Sequence, residues 1–262
     1  MTTVLYDGTY EGWLTAVFDI YAYKLPDVVF ARQEAPSASL FGAMHSVITD
    51  ENKAKRVLIG LQKRLSAEGL KQLVWTYLSD SHQVEEVMWH FARYVFESPQ
   101  NIEEDFSHRA VREVKKAAKR VKREVHRMQA FVRFKLTQDQ LYYAIIEPEC
   151  DVLPLICHHF ESRYADQRWL IYDARRKYGI YYDLQHVNTV KIDFHHGRAS
   201  SRVIQEITDE REEFYQELWR RYFKSATIEA RKNLRLHLQH MPKRYWKHLT
   251  EKRDESGFPK GE

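Results

Sequence analysis

Residues 131–146, FVRFKLTQDQLYYAII, decide the fold. Upstream of them apolar side chains recur every three or four residues. Here they crowd into short runs rich in β-branched and aromatic residues, which is the pattern of strands. FVRFKL (131–136) and LYYAII (141–146) form one pair, and RWLIYD (168–173) and YGIYYD (178–183) form a second. TQDQ and ARRKYG supply turn chemistry within the pairs. Residues 152–164 between the pairs have a helical pattern, so the second half predicts strand-strand-helix-strand-strand.

Working outward, TVLYD reads as a short strand, Gly8 as a turn, and Leu14, Val17, Phe18 and Tyr21 as one face of a helix, followed by a second short strand, DVVF. From Asp50 three amphipathic helices are expected, on Val57/Leu61/Leu65, on Leu70/Leu73/Val74/Tyr77 and on Val84/Val87/Met88/Phe91/Val95. Ser98-Pro99 stops the third, and Ser107 is a candidate N-cap for a fourth. Beyond Ile207 the chain returns to helix through EREEFYQELWRRYF (210–223) and a stretch ending near Met241-Pro242. The expected class is α+β, with several helices packed on a small antiparallel sheet. Residues 1–129 form a mainly helical part ending in a basic helix, and residues 130–262 form the sheet with C-terminal helices, together making one family-length unit.

Composition bounds the function. With 262 residues, 44% of them hydrophobic, and only 9 Gly and 7 Pro, the chain can bury a substantial core and is not low-complexity. Two cysteines, a start without an export pattern and the lack of any long apolar run lead to the expectation of a cytoplasmic protein with no membrane span. There is no GxGxxG, Walker loop or GxSxG, so no cofactor is expected. Cys150, Cys157, His158, His159, His195 and His196 lack the paired spacing of a metal site, and no metal is expected either.

Charge is the strongest functional signal. Residues 108–127 hold nine Lys or Arg against two Glu, a balance of +7 in a chain whose total is +4. Val111, Val114, Ala118, Val121, Val125 and Met128 fall within about 100° of a helical wheel, so one stripe faces protein. Arg112, Lys116, Lys119, Arg120, Arg123 and Arg127 cluster opposite it, with Glu113 and Glu124 at one margin. Such a ridge suits backbone contact with nucleic acid. The alternatives are a solvated face pairing with acidic stretches such as EEDF (103–106) or DEREE (209–213), and an anionic membrane surface, for which bulky apolar anchors are lacking.

Other residues offer weaker chemistry. Arg133 and Lys135 beside Trp169, Tyr172, Tyr181 and Tyr182 could stack bases, although rings in short strands also build cores. Asp166 and Asp173 are candidate acid/base groups, with Arg168, Arg175 and Arg176 on phosphate, or else Asp173 and Arg176 form a turn-stabilising ion pair. Arg231 to Asn233 and MPKRYW (241–246) pose the same choice.

The stretches YDGTYEGWLTAVFDIY (6–21), DVLPLICHHFESRYADQRWLIYDARRKYGIYYD (151–183) and ARKNLRLHLQHMPKRYWKHL (230–249) resemble an uncharacterised bacterial family described as DNA metabolism or DNA repair proteins. The resemblance covers nearly the whole chain. Relatives stand alone or are fused to a uracil-DNA glycosylase domain, and are linked to a radical S-adenosylmethionine protein. This chain resembles the stand-alone form. The resemblance implies a DNA partner and carries no catalytic residues. Motif positions with suitable chemistry are Asp166, Arg168, Trp169, Asp173, Arg176, Arg231, Asn233, Arg244, Tyr245 and Trp246. The expected function is DNA binding as an accessory to a glycosylase or radical enzyme. The alternatives are a repair enzyme using Asp166 or Asp173, and a protein-interaction module with a basic docking helix.

Overall fold

The computed structural model describes residues 1–33, 43–191, 216–219, 221 and 234–255. The chain divides into two compact units, Met1–Lys122 and Arg123–Glu262.

In the first unit β1 (Thr2–Tyr6) is the middle strand of a parallel sheet, flanked by β2 (Val28–Arg32) and β3 (Ala43–Ser46). Helix α1 (Tyr10–Ala22) carries the chain from β1 back to β2. The passage from β1 into the first turn of α1 needs glycine twice, for different reasons. Gly8 has φ +82°, and a Cβ on Gly12 would lie 2.1 Å from Asp7 Oδ1. Asp7 sits that close because it accepts hydrogen bonds from Thr9 N–H and from the Thr9 and Thr49 hydroxyls.

The three expected helices follow as α2 (Glu51–Gln62), α3 (Ala67–Leu78) and α4 (Val84–Glu97). Their starts are chemically marked: the Asp50 carboxylate accepts from the N–H groups of Asn52 and Lys53, and the Ser66 hydroxyl accepts from Gly69 N–H. Trp13, Leu61, Leu73 and Met88 are fully enclosed in the core these elements share. Burial of such side chains stabilises the unit by about 1.5–3 kcal/mol each.

The fourth helix, α5 (Arg109–Phe131), runs 23 residues, about 35 Å. It extends past the expected end at Met128 and takes in Phe131, so FVRFKL is not one strand. Only Lys135–Leu136 pairs, as β4. Arg133 explains the break. Its guanidinium donates to the carbonyls of Ala130 and Val132, satisfying the end of the helix, and forms a 2.7 Å ion pair with Glu251.

The sheet of the second unit has five strands in sequential order: β4, β5 (Tyr142–Ile146), β6 (Trp169–Asp173), β7 (Tyr178–Tyr182) and β8 (Val187–Val190). Helix α6 (Leu153–Arg163) lies between β5 and β6, completing the expected strand-strand-helix-strand-strand order. The sheet is mixed, because β5 and β6 run parallel while the other three pairings are antiparallel. A helical crossover returns the chain to the same end of the sheet, so the next strand points the same way. β3 and β8 are additional to the strands that the sequence pattern predicts. Both are four residues long and mostly polar or exposed, which leaves little alternating pattern to detect.

A short helix, α7 (Leu234–His240), and two 3-10 turns, Lys243–His248 and Thr250–Glu255, complete the described chain. The helix expected over 210–223 lies largely outside the described residues, as do Arg231, Asn233, His195 and His196. Among the described residues no helix is long and apolar enough to cross a membrane, and no three His, Cys, Asp or Glu side chains converge as metal ligands.

Candidate nucleic-acid interface

Helix α5 buries Val111, Val114, Ala118, Val121 and Met128 and turns its cations outward, as its periodicity dictates. Those cations separate into anchors and free groups. Arg120 Nη2 donates to the carbonyl of Ser79 at the end of α3. Arg127 pairs with Glu124 at 3.6 Å and lies over the Tyr245 ring. Arg112 is exposed, with one nitrogen spent on the carbonyls of Phe106 and Ser107 just before the helix. Lys115 pairs with Glu104, and Lys116 reaches Glu113 only at 3.9 Å with its side chain largely in solvent. Lys119, Lys122 and Arg123 are exposed and make no ion pair or hydrogen bond among the described residues. Among the described residues, then, no carboxylate covers Lys119, Lys122 or Arg123.

Glu124, expected at the margin of the basic face, is instead a buried hub of the second unit, with 1% of its surface exposed. Its two oxygens accept from the Tyr245 hydroxyl at 2.7 and 2.6 Å, and Oε1 also accepts from Glu149 N–H at 2.8 Å. Arg244 donates to the Tyr245 hydroxyl at 2.6 Å and pairs with Glu149 at 3.2 Å. Burial, reinforced by the Glu124 hydrogen bonds, pushes the Tyr245 phenol far above its ordinary pKa, so it stays a donor. One sequence signal marked Glu124: it stands three residues after Val121 and four before Met128, beside the apolar stripe.

Asp173 is equally enclosed, at 0% exposure. Its carboxylate accepts from Arg175 N–H and Arg176 N–H and forms a 2.8 Å ion pair with Arg176. Arg176 then donates to the carbonyls of Pro148 and Glu149. Of the two readings of this pair, the turn-stabilising one describes the contacts. Arg176 of the motif at 173–176 and Arg244 of the motif at 241–246 thus both engage the loop 147–151 between β5 and α6.

The remaining candidates disperse. Asp166 is exposed in the loop before β6, and Arg168 is exposed with its guanidinium on the carbonyl of Asp139. Trp169, Tyr172 and Tyr182 are core, with Trp169 and Tyr182 stacked at 5.5 Å, so these rings do not form an open platform; Tyr181 is half-buried. Trp246 is buried and donates to the carbonyl of Met241. Cys150 is buried, the Cys157 thiol rests on the carbonyl of Pro154, and His158 and His159 are exposed.

A family model described as a domain of unknown function, DUF4130, matches residues 82–251, from the start of α4 to the last 3-10 turn. No curated protein matches the chain. With well over half of its 262 residues matched, the chain belongs to the DUF4130 family.

Proposed function

We propose that the protein binds DNA through the exposed face of α5 and acts in DNA repair or metabolism as an accessory to a processing enzyme, of the uracil-DNA glycosylase or radical S-adenosylmethionine kind. The supporting observation is that Lys119, Lys122 and Arg123 are exposed and make no ion pair among the described residues, beside the solvent-exposed Lys116 and Arg112. A helix of this length can follow several phosphates, and neutralising each one releases counterions. The accessory role and the choice of partner enzyme rest on the family resemblance. The enclosed, doubly engaged state of Asp173 argues against its use as an acid or base.

The test is affinity for a duplex and for a single strand across a series of salt concentrations. The proposal expects log K to fall with log salt at a slope of about −0.9 per duplex phosphate contacted and about −0.7 on a single strand. Weak affinity even in dilute buffer favours a protein-interaction module instead. Conversion of a damaged oligonucleotide by the purified protein, lost in Asp173→Asn or Asp166→Asn, favours an enzyme.

A further inference from the structure

The loop that leads into α5 leaves one large apolar side chain in the open. Phe106 is 52% exposed, although Ile102 before it and Ala110 after it are both buried. A lone exposed ring is ordinary on a protein surface. What sets Phe106 apart is how firmly it is held. Glu103 accepts from the N–H and the hydroxyl of Ser66, each at 2.6 Å. Asp105 accepts from the Tyr94 hydroxyl at 2.6 Å and from the Ser107 N–H at 3.0 Å. The Phe106 N–H donates to the carbonyl of Glu104 at 2.9 Å, and the Phe106 carbonyl accepts from Arg112 at 2.7 Å. Polar groups on either side of the ring thus fix the loop, and a ligand that meets the ring has little loop left to order.

Phe106 also stands at the head of a cationic line. The Lys115 ammonium lies 4.3 Å from the centre of its ring. Arg112, Lys115, Lys119 and Lys122 fall within about 80° of the helical wheel, and Glu113 and Glu124 lie outside that arc. Three carboxylates are close by in the loop. Glu103 and Asp105 are engaged as described, and Glu104 pairs with Lys115 at 2.9 Å. The charge of Lys115 is therefore already met, which leaves phosphate contact to Arg112, Lys116, Lys119 and Lys122 and leaves the ring to an uncharged partner. A rigid ring at the end of a row of cations suits a strand whose backbone follows the charges while one base stacks.

We infer that Phe106 stacks on an unpaired base of a DNA strand whose phosphates lie along α5. The inference rests on the DNA-binding reading and deepens it, since it names the feature of DNA that is selected. A paired base has its faces covered by its neighbours in the stack. A base in a single strand, or one left unpaired in a duplex, offers its π-face at much lower cost. Stacking on an uncharged ring adds no phosphate contact, so it raises affinity without altering the salt slope.

The test measures the affinity of the full chain for three DNAs: a closed and fully paired dumbbell, the same dumbbell with one unpaired adenine, and a single strand. Phe106→Ala should weaken binding of the single strand, the unpaired dumbbell or both by at least about fivefold. It should weaken the paired dumbbell by less than about twofold and leave the salt slopes where they were. Phe106→Trp keeps a stacking ring and should bind within about twofold of the wild type. The probe that responds assigns the source: a loss on the unpaired dumbbell assigns a base freed within a duplex, and a loss on the single strand alone assigns single-stranded DNA. A loss as large on the paired dumbbell, a change below about fivefold on both other probes, or a tryptophan variant as weak as alanine overturns the inference. In each of those cases an intact salt slope keeps the ridge reading. A wild type that binds none of the three DNAs even in dilute buffer overturns both.

Discussion

The Tyr245 hydroxyl donates to both oxygens of the Glu124 carboxylate across 121 residues of sequence. This contact ties the second half of α5 to the turn that follows α7, and it presents a buried charge with a donor that cannot ionise in the physiological range. Glu149 N–H, Arg127 and Arg244 complete the shell around the same carboxylate.

Removing the phenol oxygen exposes the value of that contact. Tyr245→Phe keeps the ring packing on Phe131 and leaves the buried carboxylate short of its closest donor. The expected cost is about 1–3 kcal/mol. Urea denaturation followed by tryptophan fluorescence measures it, and a double-mutant cycle with Glu124→Gln should show coupling of about 1 kcal/mol or more.

The cations of α5 should divide by variant. Replacing Lys119, Lys122 and Arg123 together by alanine should lower the magnitude of the salt slope for duplex DNA by about 3, roughly one per residue, and shift stability by no more than about 0.5 kcal/mol per site. Arg120→Ala should do the reverse, costing stability through the orphaned Ser79 carbonyl while altering the slope by one at most. Equal effects from both variants would remove the distinction between anchors and free groups.

Asp105 offers a pH signature just before α5. Hydrogen bonds from the Ser107 and Tyr94 hydroxyls hold its carboxyl at about 2, against 3.8 for an unperturbed aspartate. A lowered folded-state value means that its stabilising contribution is complete above pH 3.8 and is lost as pH falls from there towards about 2. Carboxyl carbon shifts of Asp105 followed by NMR should titrate near the lower value. In Ser107→Ala the midpoint should move up towards the ordinary one.

Gly12 should reverse a familiar rule. Within a helix, alanine ordinarily gains about 1 kcal/mol over glycine. Here its methyl group would stand 2.1 Å from Asp7 Oδ1 and 3.0 Å from Thr49 Oγ1, forcing apart the turn that leads β1 into α1. Gly12→Ala should therefore destabilise the first unit by about 1–3 kcal/mol, and Gly12→Ala/Asp7→Ala should recover part of the loss. Thermal denaturation of the two variants decides the sign.

Local chemistry made much of this molecule readable in advance. The stripes of α2 to α5 follow from a period of 3.6, and the outward cations of α5 from the same wheel. Each of these involves residues within a turn or two of one another. What tertiary structure alone decided joins residues far apart in the chain. The parallel pairing of β5 with β6 depends on where α6 returns the chain. The burial of Glu124 depends on Tyr245, and the enclosure of Trp169 on Phe134, Phe160 and Tyr182. Periodicity shows which face of a segment turns inward. It carries no information about which distant side chain will be waiting there, because that partner is selected by packing and desolvation acting on the whole chain at once.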